Sequence, residues 1–478
     1  MTLSDELDVY VELDEGPVLA GRLEASFGAG RTLGGSTFTY DRDYFRSPGA
    51  YELDPKLTPS HAPHRAGEDQ LLFGAFQDLT PDDWGRRVID ASLAVARQAG
   101  ATVPGRVGEF DYLALAGDET RLGALRFRRP PSREWLGPSR VLDLSALSLD
   151  AVAAAAARFE AHDATAADLD MLGAPGTSAG GARPKVNAYI NGELRLVKLP
   201  SERDGGRDGE AWEFVAMTLA RTAGINVQEG TLLRTSDGKS TLSLRRFDRT
   251  PDGGRVGFLS ARTALEIGDQ EHGQFTYEDF ADVTDHLTHG DAAQLRDLFK
   301  RVALNVLITN TDDHWKNHAF LRSGDAWRLS PAYDLNPSHG GGTLTARQIS
   351  ERDDPRNRDV RNLVASAATY RLTAAAAGAA LAEVADAVDT WPEAAQAAGI
   401  SATEIRSMSR AFPEDQRAHA RAAASAGSRV HVDLGPPRGP ESLASSGELD
   451  AVWVAPHMRN GRPVDGFWRR PGARPPSG

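Results

Sequence analysis

The chain has 478 residues, of which 25% are charged and 40% hydrophobic, and a net charge of −13. That length suits about two to four domains with a well-buried core, and the acidic balance argues against unaided binding to nucleic acid. Cysteine is absent, which excludes disulfides and thiolate-bound metal and fits a reducing compartment. The first residues, M-T-L-S-D-E-L-D, are acidic and lack a basic stretch followed by an apolar core, so they do not read as a signal peptide. No apolar run approaches the roughly 20 residues of a membrane span. A cytoplasmic location without membrane contact is the simplest expectation.

Leu7 to Leu13 alternates apolar and polar residues as a half-buried strand does. Asp14 to Pro17 supplies a turn, and Val18 to Leu23 returns as the second arm. Ser36 to Tyr40 and Gly123 to Phe127 read as further strands. Gln70 to Phe76 and Trp84 to Leu93 read as helices, with Asp82 and Asp83 at the start of the second. The segment F-G-A-F-Q-D-L-T-P-D-D-W-G-R-R (73–87) carries no evident chemistry, and its aromatics are assigned to the core. A β-rich first domain is expected over 1–130.

Leu149 to Ala161 is Ala-rich and helical in pattern. The stretch G-A-P-G-T-S-A-G-G-A-R-P-K (173–185) follows. Its glycines at 176, 180 and 181 would let the backbone approach a phosphate, with Arg183 and Lys185 supplying positive charge; by itself it reads equally as a flexible linker. Val186–Ile190 and Glu193–Leu199 form a hairpin around Asn191-Gly192. Lys198 lies in the returning strand, where a kinase holds the α and β phosphates, or else faces solvent at a strand edge. A helix from Gly209 to Thr222, closed by Gly224, sets Glu213 among apolar neighbours, so a cationic partner is required if it is buried, and Lys198 is the obvious one. Strands at Thr231–Arg234 and Thr241–Phe247 come next, ending in R-R-F-D-R. Asp248 and Arg249 are read first as a structural ion pair.

Tyr277 to Leu307 is helical and leads into T-N-T-D-D-H-W-K-N (309–317). Asp312 and Asn317 are five apart, and Asp334 follows in S-P-A-Y-D after a strand at Ala326–Leu329. Phosphoryl transfer needs such a set: one carboxylate for the nucleophile's proton and two oxygen ligands for magnesium. Taken alone, the spacing also fits a polar surface turn. His314 is read as a packed, hydrogen-bonded residue. Residues 341–358 form a loop, Asn362–Trp391 and Thr403–Ala424 read as helices, and the Pro-, Gly- and Arg-rich tail from 427 reads as disordered with one strand at 451–454.

The order of glycine loop, strand lysine, helix glutamate, Asp–Asn loop and late Asp is that of a bilobal kinase. In G-T-S-A-G-G-A-R-P-K (176–185), L-V-K-L-P (196–200), E-F-V-A-M-T-L-A (213–220), R-F-D-R (246–249), N-V-L-I-T-N-T-D-D-H-W-K-N (305–317) and L-S-P-A-Y-D-L-N-P (329–337), the chain resembles the HipA serine/threonine kinases, toxins of bacterial toxin–antitoxin pairs. The N-terminal strands and F-Q-D-L-T-P-D-D-W-G-R-R (76–87) resemble that family's small N-terminal domain.

The resemblance implies an α+β, bilobal, protein-kinase-like fold. It comprises an N-terminal domain (1–130), an N-lobe (131–250), a helical C-lobe (251–426) and a tail (427–478). It implies ATP and Mg2+ as cofactors. Asp312 would be the catalytic base, and Asn317 and Asp334 the metal ligands. Ser178, Ala179, Gly180, Gly181, Lys185 and Lys198 would line the phosphates, with Glu213 as the partner of Lys198. The backbone from Arg245 to Phe247 would hold adenine. Ser178 would be autophosphorylated, placing about −1.5 to −2 charges where ATP phosphates sit and silencing the enzyme. Implied partners are a HipB-like helix-turn-helix antitoxin, operator DNA through that antitoxin, and a protein substrate such as an aminoacyl-tRNA synthetase. Asn310-Thr311-Asp312 and Tyr333-Asp334-Leu335 stand where most protein kinases have His-Arg-Asp and Asp-Phe-Gly. Two other readings stand beside this one: a catalytically weak co-repressor acting with the antitoxin on DNA, and a kinase of a different substrate.

Overall fold

The computed structural model describes residues 3–67, 70–138, 141–144, 148–176, 181–269, 275–339, 347–351, 353, 358–425, 452–454, 457–459, 462–464 and 467–469. The chain begins with a hairpin, β1 (Leu3–Leu13) and β2 (Gly16–Phe27), closed at Gly16, whose φ of 111° suits glycine. Leu7, Val9 and Val11 are buried while the residues between them are partly wet, so the period-two pattern faces one side to the core. β3 (Leu33–Tyr40), β4 (His64–Arg65) and β5 (Leu125–Arg128) complete a five-stranded sheet of order β4-β3-β2-β1-β5. Between β4 and β5 lie α1 (Gly74–Gln77), α2 (Asp83–Gln98) and α3 (Glu109–Leu115). The helix expected from Gln70 is thus a single turn starting at Gly74, while the one expected from Trp84 to Leu93 extends to Gln98.

A second sheet has the order β6-β7-β8-β10-β9. It is built from β6 (Leu142–Asp143), β7 (Lys185–Ile190), β8 (Glu193–Lys198), β9 (Gly230–Arg234) and β10 (Ser240–Arg245). The β7–β8 turn places Asn191 and Gly192 at φ of 53° and 79°, as a two-residue hairpin requires. α4 (Leu149–Glu160) and α5 (Ala166–Gly176) precede β7. Part of the supposed glycine loop, 173–176, is therefore the end of a helix. Trp84 and Val88 of α2 share a core with α4, α5, β7 and β8, so the N-terminal segment packs directly on the second sheet. α6 (Gly209–Thr222) leans on β10, and Trp212 meets Trp391 and Phe412 of the C-terminal helices.

The third sheet, β11 (Phe258–Ser260), β12 (Ala319–Ser323) and β13 (Ala326–Leu329), packs against the first three of the C-terminal helices. The C-terminal helices are α7 (Ala261–Ala264), α8 (Tyr277–Leu287), α9 (Ala292–Leu307), α10 (Val360–Ala365), α11 (Ala374–Asp389), α12 (Trp391–Ala397), α13 (Ala402–Ser407) and α14 (Glu414–Ser425). The single helix expected over 362–391 is broken where Arg371 turns left-handed, at φ 55°, and Thr373 caps the next helix by accepting from the Ala376 amide. In the tail, Val452–Val454 is a strand as expected; it pairs with Phe467–Arg469, and His457–Arg459 pairs with Arg462–Val464. The architecture is α+β, β-rich at the N-terminal end and helical towards the C-terminal end. No helix among the described residues is long and apolar enough to cross a membrane.

Candidate active site

The second sheet, α6 and the loop after β13 converge on Lys198. Its Nζ donates to both carboxylate oxygens of Glu213, at 2.7 Å each, and to Asp334 Oδ1 at 2.7 Å. These partners are 15 and 136 positions away in sequence, so the cluster is a product of the tertiary fold. Burial works against the Lys198 charge, but Asp334 and Glu213 outweigh it and hold the pKa above that of an ordinary lysine. Burial likewise works against the Asp334 charge, and Lys198 and Lys185 overcome it, holding that carboxyl below the usual range.

Lys185 lies directly across from Lys198 in the β7–β8 register. It is buried, and burial together with the repulsion of Lys198 lowers its pKa to about 8. Gly181 covers it: a Cβ built on Gly181 would lie 2.6 Å from Lys185 Nζ, and its φ is 84°. The positive φ selects glycine at this turn. Ser178, Ala179 and Gly180 fall outside the described residues.

The loop after α9 is built on polar side chains rather than regular structure. Asn310 donates to Asn305 Oδ1 (3.1 Å) and accepts from the Asp312 amide (3.2 Å). Two adjacent aspartates then take opposite environments. Asp313 is buried and bonded to Tyr277 (2.6 Å), His318 (2.9 Å), Asn305 (3.0 Å) and Arg358 (2.8 Å). Burial would raise its pKa, but His318 and Arg358 hold it below the carboxylate range. The structural duty falls on Asp313, and Asp312 is left exposed. Asn317 Nδ2 donates to the Asp312 carbonyl at 2.8 Å, which orients the other end of the amide, Oδ1, away from it.

Asp334 has φ 56°, an uncommon left-handed conformation for aspartate. Its loop is pinned by Ala332, whose amide donates to Asn226 O (2.8 Å) and whose carbonyl accepts from Gln228 (2.9 Å). Phe247 lies with its ring centroid 5.2 Å from that of Tyr333, tilted by 41°, beside Asp334. Arg245 is less open: its amide bonds to Glu229 O (2.8 Å) and its carbonyl accepts from Gln228 Nε2 (2.8 Å). β10 ends at Arg245, so Phe247 lies beyond the strand expected to contain it. His314 departs from expectation, because its buried Nδ1 has no hydrogen-bond partner among the described residues. Asp248 is the structural ion-pair residue anticipated, bonded to Arg246 and Arg249 and to the Gly123 amide.

Sequence reasoning missed two contributors. Arg358 binds Asp313 and the carbonyls of Asn305 and Asn310 (3.2 and 2.6 Å), bracing the loop, yet it sits in a polar stretch without periodicity. The other is the segment 73–87, which was assigned no chemistry. Its aromatics are indeed buried, but one of its carboxylates, Asp82, reaches this site, and another, Asp78, fastens the segment nearby. Asp78 binds the Ser260 amide and hydroxyl (2.8 and 2.7 Å), and Asp82 binds the Gly181 amide and Lys316 (2.9 and 2.8 Å). From sequence alone, Asp82 is expected only to favour a helix start.

A model of the HipA N-terminal domain matches residues 17–128, and one of the HipA-like C-terminal domain matches residues 177–391. The protein named "Putative kinase Y4dM" in Sinorhizobium fredii is 32% identical over 164 residues, covering 31% of this chain and 39% of that protein. Toxin YjjJ of Escherichia coli K12 is 27% identical over 172 residues, covering 34% of this chain and 38% of that protein. The chain thus spans well under half the length of these two curated relatives. Among solved structures, a chain of the Shewanella oneidensis MR-1 toxin–antitoxin complex of HipA, HipB and operator DNA aligns with a TM-score of 0.60 at 18% identity. That alignment covers 88% of this chain and 97% of the other, a likeness of fold.

Proposed function

Because the chain belongs to the HipA family and joins Lys198, Glu213 and Asp334 in one ion-paired cluster, we propose that it is an ATP- and Mg2+-dependent serine/threonine protein kinase. The ion-paired cluster carries the reading. A lysine held charged between a helix glutamate and a late-loop aspartate is poised to receive nucleotide phosphates.

The residues fit a nucleotide with magnesium. Mg2+ is usually held by one or two carboxylates together with phosphate oxygens, and Asp334, kept ionised, and the oriented amide of Asn317 offer such a set. Bound there, the metal would neutralise charge on the phosphates. Asp312 would orient a substrate hydroxyl and receive its proton as that oxygen attacks the γ-phosphate and the bond to the β-phosphate oxygen breaks. Lys198, with Lys185 behind it, would neutralise the phosphates, while Glu213 would keep Lys198 in place. Such catalysis consists of positioning and electrostatics.

The biological reading is a toxin acting with a HipB-like helix-turn-helix antitoxin, which would carry it to operator DNA. The substrate would be a protein hydroxyl, an aminoacyl-tRNA synthetase being the family's precedent, with Ser178 as the self-phosphorylation site. The complex solved for the Shewanella protein contains HipA, HipB and operator DNA, which supports the choice of partner.

The test is incubation with Mg2+ and γ-labelled ATP beside an Asp312→Asn variant, with the label mapped by mass spectrometry. Transfer should fall by about two to three orders of magnitude in the variant, while calorimetry finds ATP binding unchanged. No transfer and no ATP binding by the wild type would sink the proposal.

A further inference from the structure

The N-cap position of α2 has an aspartate that does not cap its helix: Asp82 makes no side-chain bond to the first turn. Forgoing a cap weakens the helix start, and the carboxylate is engaged elsewhere. Oδ2 accepts from the Gly181 amide at 2.9 Å, and Oδ1 lies 2.8 Å from Lys316 Nζ. The Trp84 amide donates to the Gly181 carbonyl at 3.1 Å, so the start of α2 grips both polar groups of that glycine's backbone. Gly181 in turn rests on Lys185, which faces Lys198. On the other side, Lys316 immediately precedes Asn317, and its carbonyl accepts from the Tyr333 hydroxyl at 2.6 Å, next to Asp334.

We infer that Asp82 is a positioning residue through which the N-terminal segment sets the spacing between the glycine turn and the Asn317 loop. The inference rests on the nucleotide-site reading above. One carboxylate holds two elements that must face each other across a phosphate chain: a neutral donor on the glycine side and a cation on the Asn317 side. Asp78, four residues earlier, fastens the same segment to Ser260 at the start of α7, so the tie has a fixed base. Both partners in the Asp82–Lys316 pair keep about a third of their side-chain surface in water, so the pair adds little to global stability. Its effect is on geometry, where a displacement of about 1 Å can cost a hundredfold in rate.

The test compares Asp82→Ala and Asp82→Asn in the full chain. Asn retains an oxygen for the Gly181 amide but lacks the charge for Lys316. Hydrogen exchange without nucleotide should accelerate about tenfold in Asp82→Ala in peptides containing Gly181 and Lys316, and in Asp82→Asn at Lys316 only. With ATP, Asp82→Ala should raise KM about tenfold with kcat reduced less, and Asp82→Asn should fall between it and wild type. Unchanged exchange at Gly181 and Lys316, or altered exchange with an unchanged KM, would overturn the inference. Since exchange is read without nucleotide, it decides the tie even if the chain transfers no phosphate, an outcome that would fall on the kinase proposal alone.

Discussion

Lys185 and Lys198 face each other across β7 and β8, where burial already disfavours charge. Lys198 has Glu213 and Asp334 at 2.7 Å and stays charged. Lys185 carries the strain, with burial and Lys198 lowering its pKa to about 8. A lysine whose folded pKa lies below its unfolded value of about 10.4 costs stability at neutral pH, and that cost disappears as pH rises from 8 past 10. Lys185→Met should therefore stabilise the nucleotide-free chain at pH 7 by about 1–3 kcal/mol while weakening ATP binding. Urea titrations at pH 7 and pH 10 check this: the advantage of the variant should shrink at the higher pH. Equal stability of variant and wild type at pH 7 would refute the argument. The Lys198–Glu213 pair was legible in sequence because a carboxylate among Trp212, Phe214 and Val215 demands a cation, and few were at hand. Asp82 was not, because an aspartate before a helix has an adequate local explanation. Only tertiary placement shows its oxygens turned to Gly181 and Lys316.

Apolar spacing marks most helices but not their breaks: the helical stretch expected over Tyr277–Leu307 is two helices, α8 and α9, parted at Gly290, φ 79°. α6 ends as expected at Thr222 and is closed by Gly224, φ 70°. The Ala-rich region was harder, because alanine favours helix throughout and hides a break that falls on Arg371 rather than on Gly or Pro. Conversely, a glycine in this region that looks like a weak point is required. Gly378 lies buried in α11, against α14, and a Cβ there would meet the Ala423 carbonyl oxygen at 2.6 Å and Ala424 Cα at 2.9 Å. Two effects oppose each other in Gly378→Ala. Helix propensity gains about 1 kcal/mol, while pushing one helix backbone off another costs typically 1–3 kcal/mol. Because the obstacle is backbone and cannot swing aside, the second should win, and the variant should lose up to about 2 kcal/mol. A higher thermal midpoint in the variant would mean that α14 yields freely.

Across the whole molecule, the ionisable groups that hold the parts together fall into two classes with opposite responses to acid. Asp248 binds Arg246 and Arg249 beneath the Gly123 amide, and Arg246 reaches Thr120 and Asn187, so this network joins the first sheet's border to the second. Burial opposes the Asp248 charge, but its two arginines hold it below the usual carboxylate range, as other cations do for Asp313 and Asp334. Such groups stabilise fully above the unfolded value near pH 4 and lose that contribution as pH falls below it. Asp54 and Glu210 behave oppositely, since burial raises them to about 6 and about 7. Their folded pKa values exceed the unfolded ones, so between pH 4 and 7 the folded state binds more protons and stability falls as pH rises. Diminishing self-repulsion in a chain of net charge −13 acts in the same direction on acidification. Stability should therefore peak at about pH 4–6 and drop steeply on more acid. Unfolding midpoints measured from pH 3 to pH 8 test this, with Glu210→Gln expected to flatten the slope between pH 4 and 7 and leave the acid limb intact. A midpoint that climbs steadily from pH 4 to pH 7 would refute the argument, because the depressed aspartates already act fully above pH 4 and burial of Asp54 and Glu210 would then carry no electrostatic cost.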